Sequence, residues 1–439
     1  MNPVDDAYRE VLDDLFRLRR FGVKLDILGP ERALRRMGHP TRGIPVIQIA
    51  GTNGKGSVAA MAEAILRWDG RRTGLYTSPH LCRFTERIRV AGMEIGRAEV
   101  VSHYRRIRWE APELTFFEVA TALAALAFAE HGVELAVVEV GLGGRLDATN
   151  VFEPAVTGIA PVSREHTAYL GQDLDRIAWE KGSLMRPGVP VATTAEDPVV
   201  LAVLRRLAAV KNTPLAELGQ DFRAVAKGEP ELLRLAYEGP GGALEVLPPP
   251  LLGRHQVENA ALALALVGLL PSGLRPSEEA RREGLADVQW PGRMELLPGP
   301  PRTLLDAGHN PQAVTTLLEG LASVKRHRTL LVVAAMQDKD LSDMLPRLVD
   351  AVDETFLTRV QYYRGATPRQ LLEQVPRALR DRVTCCEDVP AALDEAGRRA
   401  GPDDLIVVAG SVFLVGEART HLLGELTDPV KVTDPVATR

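Results

Sequence analysis

The stretch Gly51-Thr52-Asn53-Gly54-Lys55-Gly56-Ser57 constrains what this chain can fold into more than any other. It follows Pro45-Val46-Ile47-Gln48-Ile49, a short apolar run that reads as a buried strand. Beyond it, Val58, Met61, Ala62, Ile65 and Leu66 fall on one face of a helix. Strand, glycine-rich turn, lysine, hydroxyl residue and helix are the parts of a phosphate cradle. Backbone N–H groups of the turn and the helix N-terminus point at phosphate oxygens. Lys55 would add a positive charge there, and Ser57 a magnesium-facing hydroxyl. The ordinary phosphate loop places Ser or Thr directly after the lysine, whereas here Gly56 intervenes. The plainer alternative is a glycine-rich hairpin with a solvated lysine; the flanking strand and helix weigh against it. Thr52, Asn53, Gly54, Lys55, Gly56 and Ser57 are candidate ligands of a nucleoside triphosphate.

Composition narrows the partners. A chain of 439 residues allows two or three domains with proper cores. Its 45% hydrophobic and 25% charged residues are those of a soluble globular protein. A net charge of −5 and a pI near 6.1 argue against a general nucleic-acid or membrane-surface binder. The first residues lack the basic-then-apolar pattern of a signal peptide, and no apolar run reaches membrane-spanning length. The expectation is a cytoplasmic protein. Cys82, Cys385 and Cys386 form neither a disulfide framework nor a zinc spacing, so buried structural thiols are expected.

Taken in order, Tyr8 to Leu18 carries a broad apolar face and reads as a helix. Leu28-Gly29-Pro30-Glu31-Arg32 restarts a helix, with Pro30 in a first turn that tolerates it. Thr73 to His80 is a short strand ending in a proline turn. Thr115-Phe116-Phe117-Glu118 opens a long alanine-rich helix, and Thr115 and Glu118 have capping-box spacing, a structural reason for both. Leu135-Ala136-Val137-Val138-Glu139-Val140 reads as a parallel strand covered on both faces, and Glu139 is out of place in it. A buried carboxylate is costly unless it is paired or holds a cation. At the C-terminal end of a strand in an open α/β sheet, the usual reason for one is a ligand. The turn Gly141 to Asp147 would bring backbone close to that ligand. Its glycine spacing departs from the dinucleotide fingerprint, which argues against NAD. A strand at Ala155 to Pro161 leads to His166, also just past a strand end; a structural and a metal-ligand reading both stay open. Ile177 to Gly182 is helical with a charge pair, on the plain reading a solvated face.

From Pro214 to Pro250, short alternating segments bounded by Gly and Pro predict hairpins, a small β appendage. Gly253 to Asn259 then enters an apolar helix, Ala260 to Leu270, where Asn259 is a cap or a ligand-facing amide. Trp290-Pro291-Gly292-Arg293 marks a boundary. Beyond it, strands at Arg302–Asp306, Thr329–Ala335, Thr355–Thr358, Val383–Cys386 and Leu405–Val408 alternate with helices. Those helices lie near Gln312–Ser323, Leu341–Val352, Pro368–Leu379 and Pro390–Arg399, a rhythm that predicts a second open sheet. The last dozen residues read as disordered.

Together these stretches resemble the Mur ligase superfamily, and within it the folylpolyglutamate synthase/dihydrofolate synthase family. The glycine between Lys55 and Ser57 is the form that superfamily uses. The closer likeness rests on Leu28 to Arg32, Ser78 to Leu81, Thr115 to Glu118, Glu139 to Asn150, Gly253 to Asn259, Trp290 to Arg293 and Asp306 to Pro311, in collinear order. The resemblance implies an α/β protein: a P-loop domain over 1–293 with a mostly parallel sheet and the β appendage, and a Rossmann-like domain over 294–439. ATP would bind in the cleft between them, with a hinge near Gly292–Pro300. The implied reaction attaches L-glutamate to the carboxylate of dihydropteroate or of a folate.

By the same resemblance, magnesium is shared among Ser78, Glu139 and His166, with Ser57 close by. Lys181 stands where the family has a lysine carbamylated by CO₂. Asn259, Arg293 and Asp306 contact ATP, and His309 approaches the phosphates. Lys55, Lys181 and His309 are the implied catalytic residues. Leu28, Gly29, Glu31, Arg32, Thr115, Phe116, Phe117, Glu118, Leu146, Asp147 and Ala148 are the implied pterin-side residues, favouring a bifunctional enzyme over one that only lengthens folate tails. The family usually reads Asp-Gly-Ala-His-Asn-Pro where this chain has Asp306-Ala307-Gly308-His309-Asn310-Pro311, and Asp where it has Glu165. A monomer without nucleic-acid or membrane partners is implied. Two competing readings are a peptidoglycan-precursor ligase, for which too few residues precede the phosphate loop, and a P-loop ATPase switch, against which the second domain and Glu139 argue.

Overall fold

The computed structural model describes residues 3–18, 27–164, 171–227, 234–246, 252–337 and 341–430. Its larger sheet grows outward from β1 (Pro45–Ala50), whose side chains are apolar on both faces except Gln48. β5 (Leu135–Glu139) and β6 (Glu153–Ile159) flank β1 in parallel. β2 (Thr73–Tyr76) joins beyond β5, and β3 (Ile88–Val90) and β4 (Met93–Glu94) close that edge antiparallel. On the other side come β7 (Val191–Thr193) and β8 (Leu215–Glu217), giving the order β4-β3-β2-β5-β1-β6-β7-β8. β8 thus extends the parallel sheet, although its sequence falls inside the stretch read as appendage. The appendage itself is the antiparallel sheet of β9 (Arg223–Lys227), β10 (Arg234–Glu238) and β11 (Leu244–Val246). Leu235, Tyr237 and Leu244 share one core with the helix Arg254–Leu269.

The second sheet has the order β12-β13-β17-β14-β15-β16. β13 (Arg302–Asp306), β17 (Leu405–Ala409), β14 (Thr329–Val333), β15 (Glu354–Leu357) and β16 (Val383–Cys385) run parallel. β12 (Glu295–Leu297) pairs antiparallel with β13 and was not foreseen, because prolines and a glycine surround so short a run. Two helices are shorter than their periodicity suggests. Pro346 fits only a first turn, so that helix begins at Met344 rather than Leu341. Pro376 stops the helix Pro368–Gln374, and a 3-10 turn, Arg377–Arg382, takes over. Val412–Leu423, for which no element was expected, is a helix whose N-cap, Ser411, accepts from the Phe413 N–H. The expectation for His166 lies outside the described residues, as do nine of the dozen C-terminal residues read as disordered. Asp428, the first of that dozen, is instead buried and hydrogen-bonded.

Past that helix the chain returns to the first domain as a strap. Asp428 N–H donates to Cys82 O at 3.0 Å, and the Asp428 carboxylate accepts from Phe84 N–H at 2.6 Å and from Tyr8 Oη–H at 3.1 Å. Arg83 reaches Leu426 O at 2.9 Å, and Glu425 pairs with both Arg83 and Arg419.

The expectation of buried thiols holds for Cys82 and fails for Cys385, which is exposed at the end of the edge strand β16; Cys386 lies between these extremes. Burial, with Glu86 and Glu425 beside it, pushes the Cys82 thiol up to about 12. Since the thiolate is the reactive form, a thiol reagent at pH 8 should label native protein at Cys385 first and leave Cys82 until unfolding. Equal rates at the three cysteines would contradict this packing.

Candidate active site

The parallel order of β5, β1 and β6 sets the site. Ile49 and Glu139 are register partners, so Glu139 ends its strand beside the start of the phosphate loop. The loop is pinned to the end of β6. Thr52 N–H donates to Pro161 O at 2.8 Å, and Thr52 Oγ1 exchanges hydrogen bonds of 3.1 Å with the Ser163 backbone. Gly54, at φ 85°, turns the chain into the helix Lys55–Trp68. A Cβ there would stand 2.3 Å from Asn259 Oδ1, which places the Asn259 amide against the loop. Asn259 is therefore no cap: it sits within the helix Arg254–Leu269, buried, donating to Gln256 Oε1 at 2.9 Å. Gly56 has a reason of its own. A Cβ on it would lie 3.0 Å from Trp290 Cζ2 and 3.4 Å from Glu139 Oε2. The extra glycine is the space in which the boundary tryptophan packs on the loop.

Glu139 is 5% exposed. Its Oε2 accepts from Ser78 N–H at 3.1 Å, and its Oε1 lies 4.0 Å from the Lys55 ammonium, which also donates to Thr52 O at 3.1 Å. Ser57 is buried in the first helical turn, and Ser78 borders the same cavity. These donors are hydroxyl and carboxylate oxygens, the chemistry that suits magnesium or manganese completed by phosphate and water. Among the described residues no three or more His, Cys, Asp or Glu side chains gather as a group that could hold a metal ion, and His166 lies outside the described residues.

Lys181 departs from the plain reading of its helix. It is 3% exposed rather than solvated, and its Nζ donates to Gly51 O at 2.6 Å, in the wall behind the phosphate loop. Asp147 is buried as well. It accepts from Leu142 N–H and Thr149 N–H, both at 2.9 Å, so it shapes the turn that follows Glu139; burial raises its pKa.

The second domain forms the facing wall. Asp306 ends β13 and is held by N–H groups of Gly308 at 2.9 Å and Met294 at 3.0 Å. Burial raises its pKa and the Arg293 guanidinium opposes that rise. His309 Nδ1 lies 3.1 Å from Ala307 O. His255 is half-buried, and its desolvation, with Arg293 nearby, pushes its pKa down to about 4. Walls from both domains enclose a cavity of 640 Å³ that contains Thr52 to Ser57, Ser78, Glu139, Asn259, Arg293, Asp306 and His309.

Of the pterin-side residues, Phe117 borders this cavity. Phe116 is in the core, edge-on to Phe84 and Phe117. Glu118 accepts from Thr115 N–H at 2.7 Å, the capping-box bond, and also from Thr115 Oγ1–H at 2.7 Å. Leu28, Glu31 and Arg32 are exposed, and Gly29 packs where a Cβ would lie 3.1 Å from Glu118 Oε1. Leu146 is half-buried and Ala148 buried, behind the turn rather than on the cavity wall. Unforeseen wall residues are His80, Asn310, Gln312 and Ser411. Arg87 Nε–H donates to His80 Nδ1 at 2.7 Å, and burial beside Arg87 and Arg83 keeps that imidazole neutral. His80 and Asn310 lie inside stretches that carried the resemblance; Gln312 and Ser411 had no local signal.

A phosphate loop, a lone buried carboxylate beside it and a second α/β wall across the cleft define a Mur-type ligase. Two family models agree: the Mur ligase middle domain matches residues 49–267, and the Mur ligase, glutamate ligase domain matches residues 292–412. The chain belongs, within that group, to the dihydrofolate synthase/folylpolyglutamate synthase family. It is 30% identical to the protein of that name from Bacillus subtilis, over 95% of this chain and 99% of the relative. The Haloferax volcanii probable bifunctional folylpolyglutamate synthase/dihydropteroate synthase is 37% identical over 94% of this chain. This chain spans about half the length of that relative, 50%. Among solved structures, Escherichia coli FolC in complex with DHPP and ADP superposes with a TM-score of 0.86 at 30% identity, covering 95% of this chain and 98% of that one. A Yersinia pestis bifunctional folylpolyglutamate synthase/dihydrofolate synthase complexed with AMPPNP and Mn ion gives 0.81 at 31%, covering 91% and 94%.

Proposed function

We propose that this protein is an ATP-dependent acid–amino-acid ligase that adds L-glutamate to folates and to 7,8-dihydropteroate through an acyl phosphate. The observation that carries the reading is the single cleft in which the phosphate loop and Glu139 face Arg293, Asp306 and His309. A carboxylate resists attack by an amine because its oxygen leaves poorly. Transfer of the γ-phosphoryl group to that oxygen releases ADP and supplies a better leaving group. The glutamate amine then attacks the carbonyl carbon, and phosphate departs with the carboxylate oxygen. Most of the work in both steps is positioning and charge neutralisation. The Gly54–Ser57 backbone and Lys55 hold the phosphates, and Asn259 orders the loop. A divalent cation, when bound, would neutralise charge on the transferring group, and Ser57, Ser78 and Glu139 would hold it. Arg293 at the domain boundary and His309 on the facing wall complete the charge balance.

We place the domain boundary at residues 293 and 294, immediately before β12, and the protein in the cytoplasm as a monomer acting on small molecules. No helix among the described residues is long and apolar enough to cross a membrane. The balance between both glutamylations and folate lengthening alone is decided by the substrate tested. ADP release should require L-glutamate together with dihydropteroate or tetrahydrofolate. Release indifferent to both pterins would sink the ligase reading and favour an ATPase switch. We also assign Lys181 as the site of carbamylation: a buried ammonium is repelled by a nearby dication, whereas a carbamate attracts it. Lys181→Ala should lose most activity and regain part of it with short carboxylates; full activity without them would exclude the assignment.

A further inference from the structure

Asn53, at the tip of the phosphate loop, reaches across the cleft. Its Nδ2 donates to Gln312 Oε1 at 2.7 Å, and its Oδ1 accepts from Asn310 Nδ2 at 3.0 Å. Both partners belong to the second domain, one on either side of Pro311. Asn310 is also the cap of the helix Pro311–Leu321, its Oδ1 accepting from Ala313 N–H at 2.8 Å. That cap settles the direction of the whole relay. An amide whose oxygen faces a helix N–H must present its nitrogen to Asn53, whose oxygen therefore turns toward it. The Asn53 nitrogen is left for the Gln312 oxygen. Three amides thus run in one order from a helix terminus to the phosphate loop.

We infer that Asn53, Asn310 and Gln312 form a positioning clasp that sets the phosphate loop for transfer only when the second domain is docked. The loop grips phosphate with backbone N–H groups, whose aim depends on the peptide planes around Asn53. Undocking removes both side-chain partners of Asn53 at once. The same movement withdraws Asp306 and His309, a few residues upstream on the same segment. ATP held on an open enzyme is then poorly aligned for loss of its phosphate to water, and alignment returns with the facing wall. The inference rests on the proposed ATP-dependent reading, for which the clasp supplies the gate.

The test uses Asn310→Ser, which retains a good capping residue while deleting the Nδ2 donor, and Gln312→Met, which keeps length and loses the acceptor. Each should lower kcat/KM for ATP about tenfold, the size of one or two neutral hydrogen bonds. Amide exchange at residues 52–57 in ligand-free protein should quicken in both variants, with the melting temperature unchanged. Gln312→Met added to Asn53→Ala should cost nothing further, because the first substitution has already emptied the contact. Unchanged loop exchange in both variants, or additive losses in the double variant, would overturn the clasp. A wild-type protein without ATP turnover would defeat the proposed function instead, and loop exchange alone would then decide the clasp.

Discussion

Glu139→Gln is expected to lower ATP-dependent turnover by about 10²- to 10³-fold, because a group that holds a catalytic cation carries several kcal/mol of charge stabilisation. The substitution keeps the volume of a side chain that is 5% exposed, so the fold should be undisturbed. What changes is the pattern of donors. Ser78 N–H points at one carboxylate oxygen and the Lys55 ammonium stands 4.0 Å from the other, so whichever way the new amide turns, its NH₂ faces a donor. The amide side chain would therefore swing away or displace Lys55, and either movement spoils the cation's place. Removing the carboxylate also takes the counter-charge from the Lys55 ammonium and the acceptor from Ser78 N–H, so the melting temperature should fall modestly while the fold is kept. ADP release titrated with Mg²⁺ is the check; wild-type turnover at saturating Mg²⁺ would take Glu139 out of the metal site.

Substitutions in the phosphate loop should rank by their geometry. Gly54→Ala places a Cβ at φ 85° and within 2.3 Å of Asn259 Oδ1. The left-handed backbone costs about 1–2 kcal/mol for an L-residue, and Asn259 must also leave the loop. A loss of at least about 10²-fold in kcat/KM for ATP is expected. Gly56→Ala meets only the Trp290 ring edge at 3.0 Å and Glu139 at 3.4 Å, without backbone strain. About tenfold is expected there, an overpacking effect, and Trp290→Leu in the same chain should recover part of it. Gly56→Ser is the sharper comparison. It restores hydroxyl-after-lysine, the ordinary phosphate-loop order, yet should fare no better than alanine. Improved activity in Gly56→Ser would show that the Trp290 packing has no bearing on the loop.

Much of this architecture is written locally. The strand before the phosphate loop, the helix after it and the five parallel strands of the second sheet follow from apolar runs and their spacing. Glu139 was identifiable because an acid in such a run needs a reason. Lys181 was identifiable only through the family likeness, since Glu180 beside it suggests a solvated pair and its burial comes from packing against Gly51. The clasp is less legible still. Asn53 and Gln312 lie 259 residues apart, and a pair of amides carries no periodicity to betray it. β12 and the last helix fail for a different reason: a three-residue strand is too short to have a pattern, and the β-prone start of Val412–Leu423 becomes helical where Leu414, Val415 and Ala418 pack into the second domain's core. Phe116 illustrates the converse, a residue singled out by family likeness whose ring lies inside the core.

The strap that ends at Asp428 joins the two domains a second time. One connection is the chain itself through Gly292; the other is the set of hydrogen bonds that Asp428 makes with Tyr8, Cys82 and Phe84. A body fixed at one point can tumble, but a body fixed at two can turn only about the line between them. The second domain is therefore mounted like a door on a pair of pins. Any widening of the cleft is a swing about that axis. Ala307 N–H donates to Gly292 O at 2.8 Å, so the segment from Asp306 to Gln312 starts beside the first pin. It carries its contacts with Asn53 at the far end, where a given rotation displaces it most.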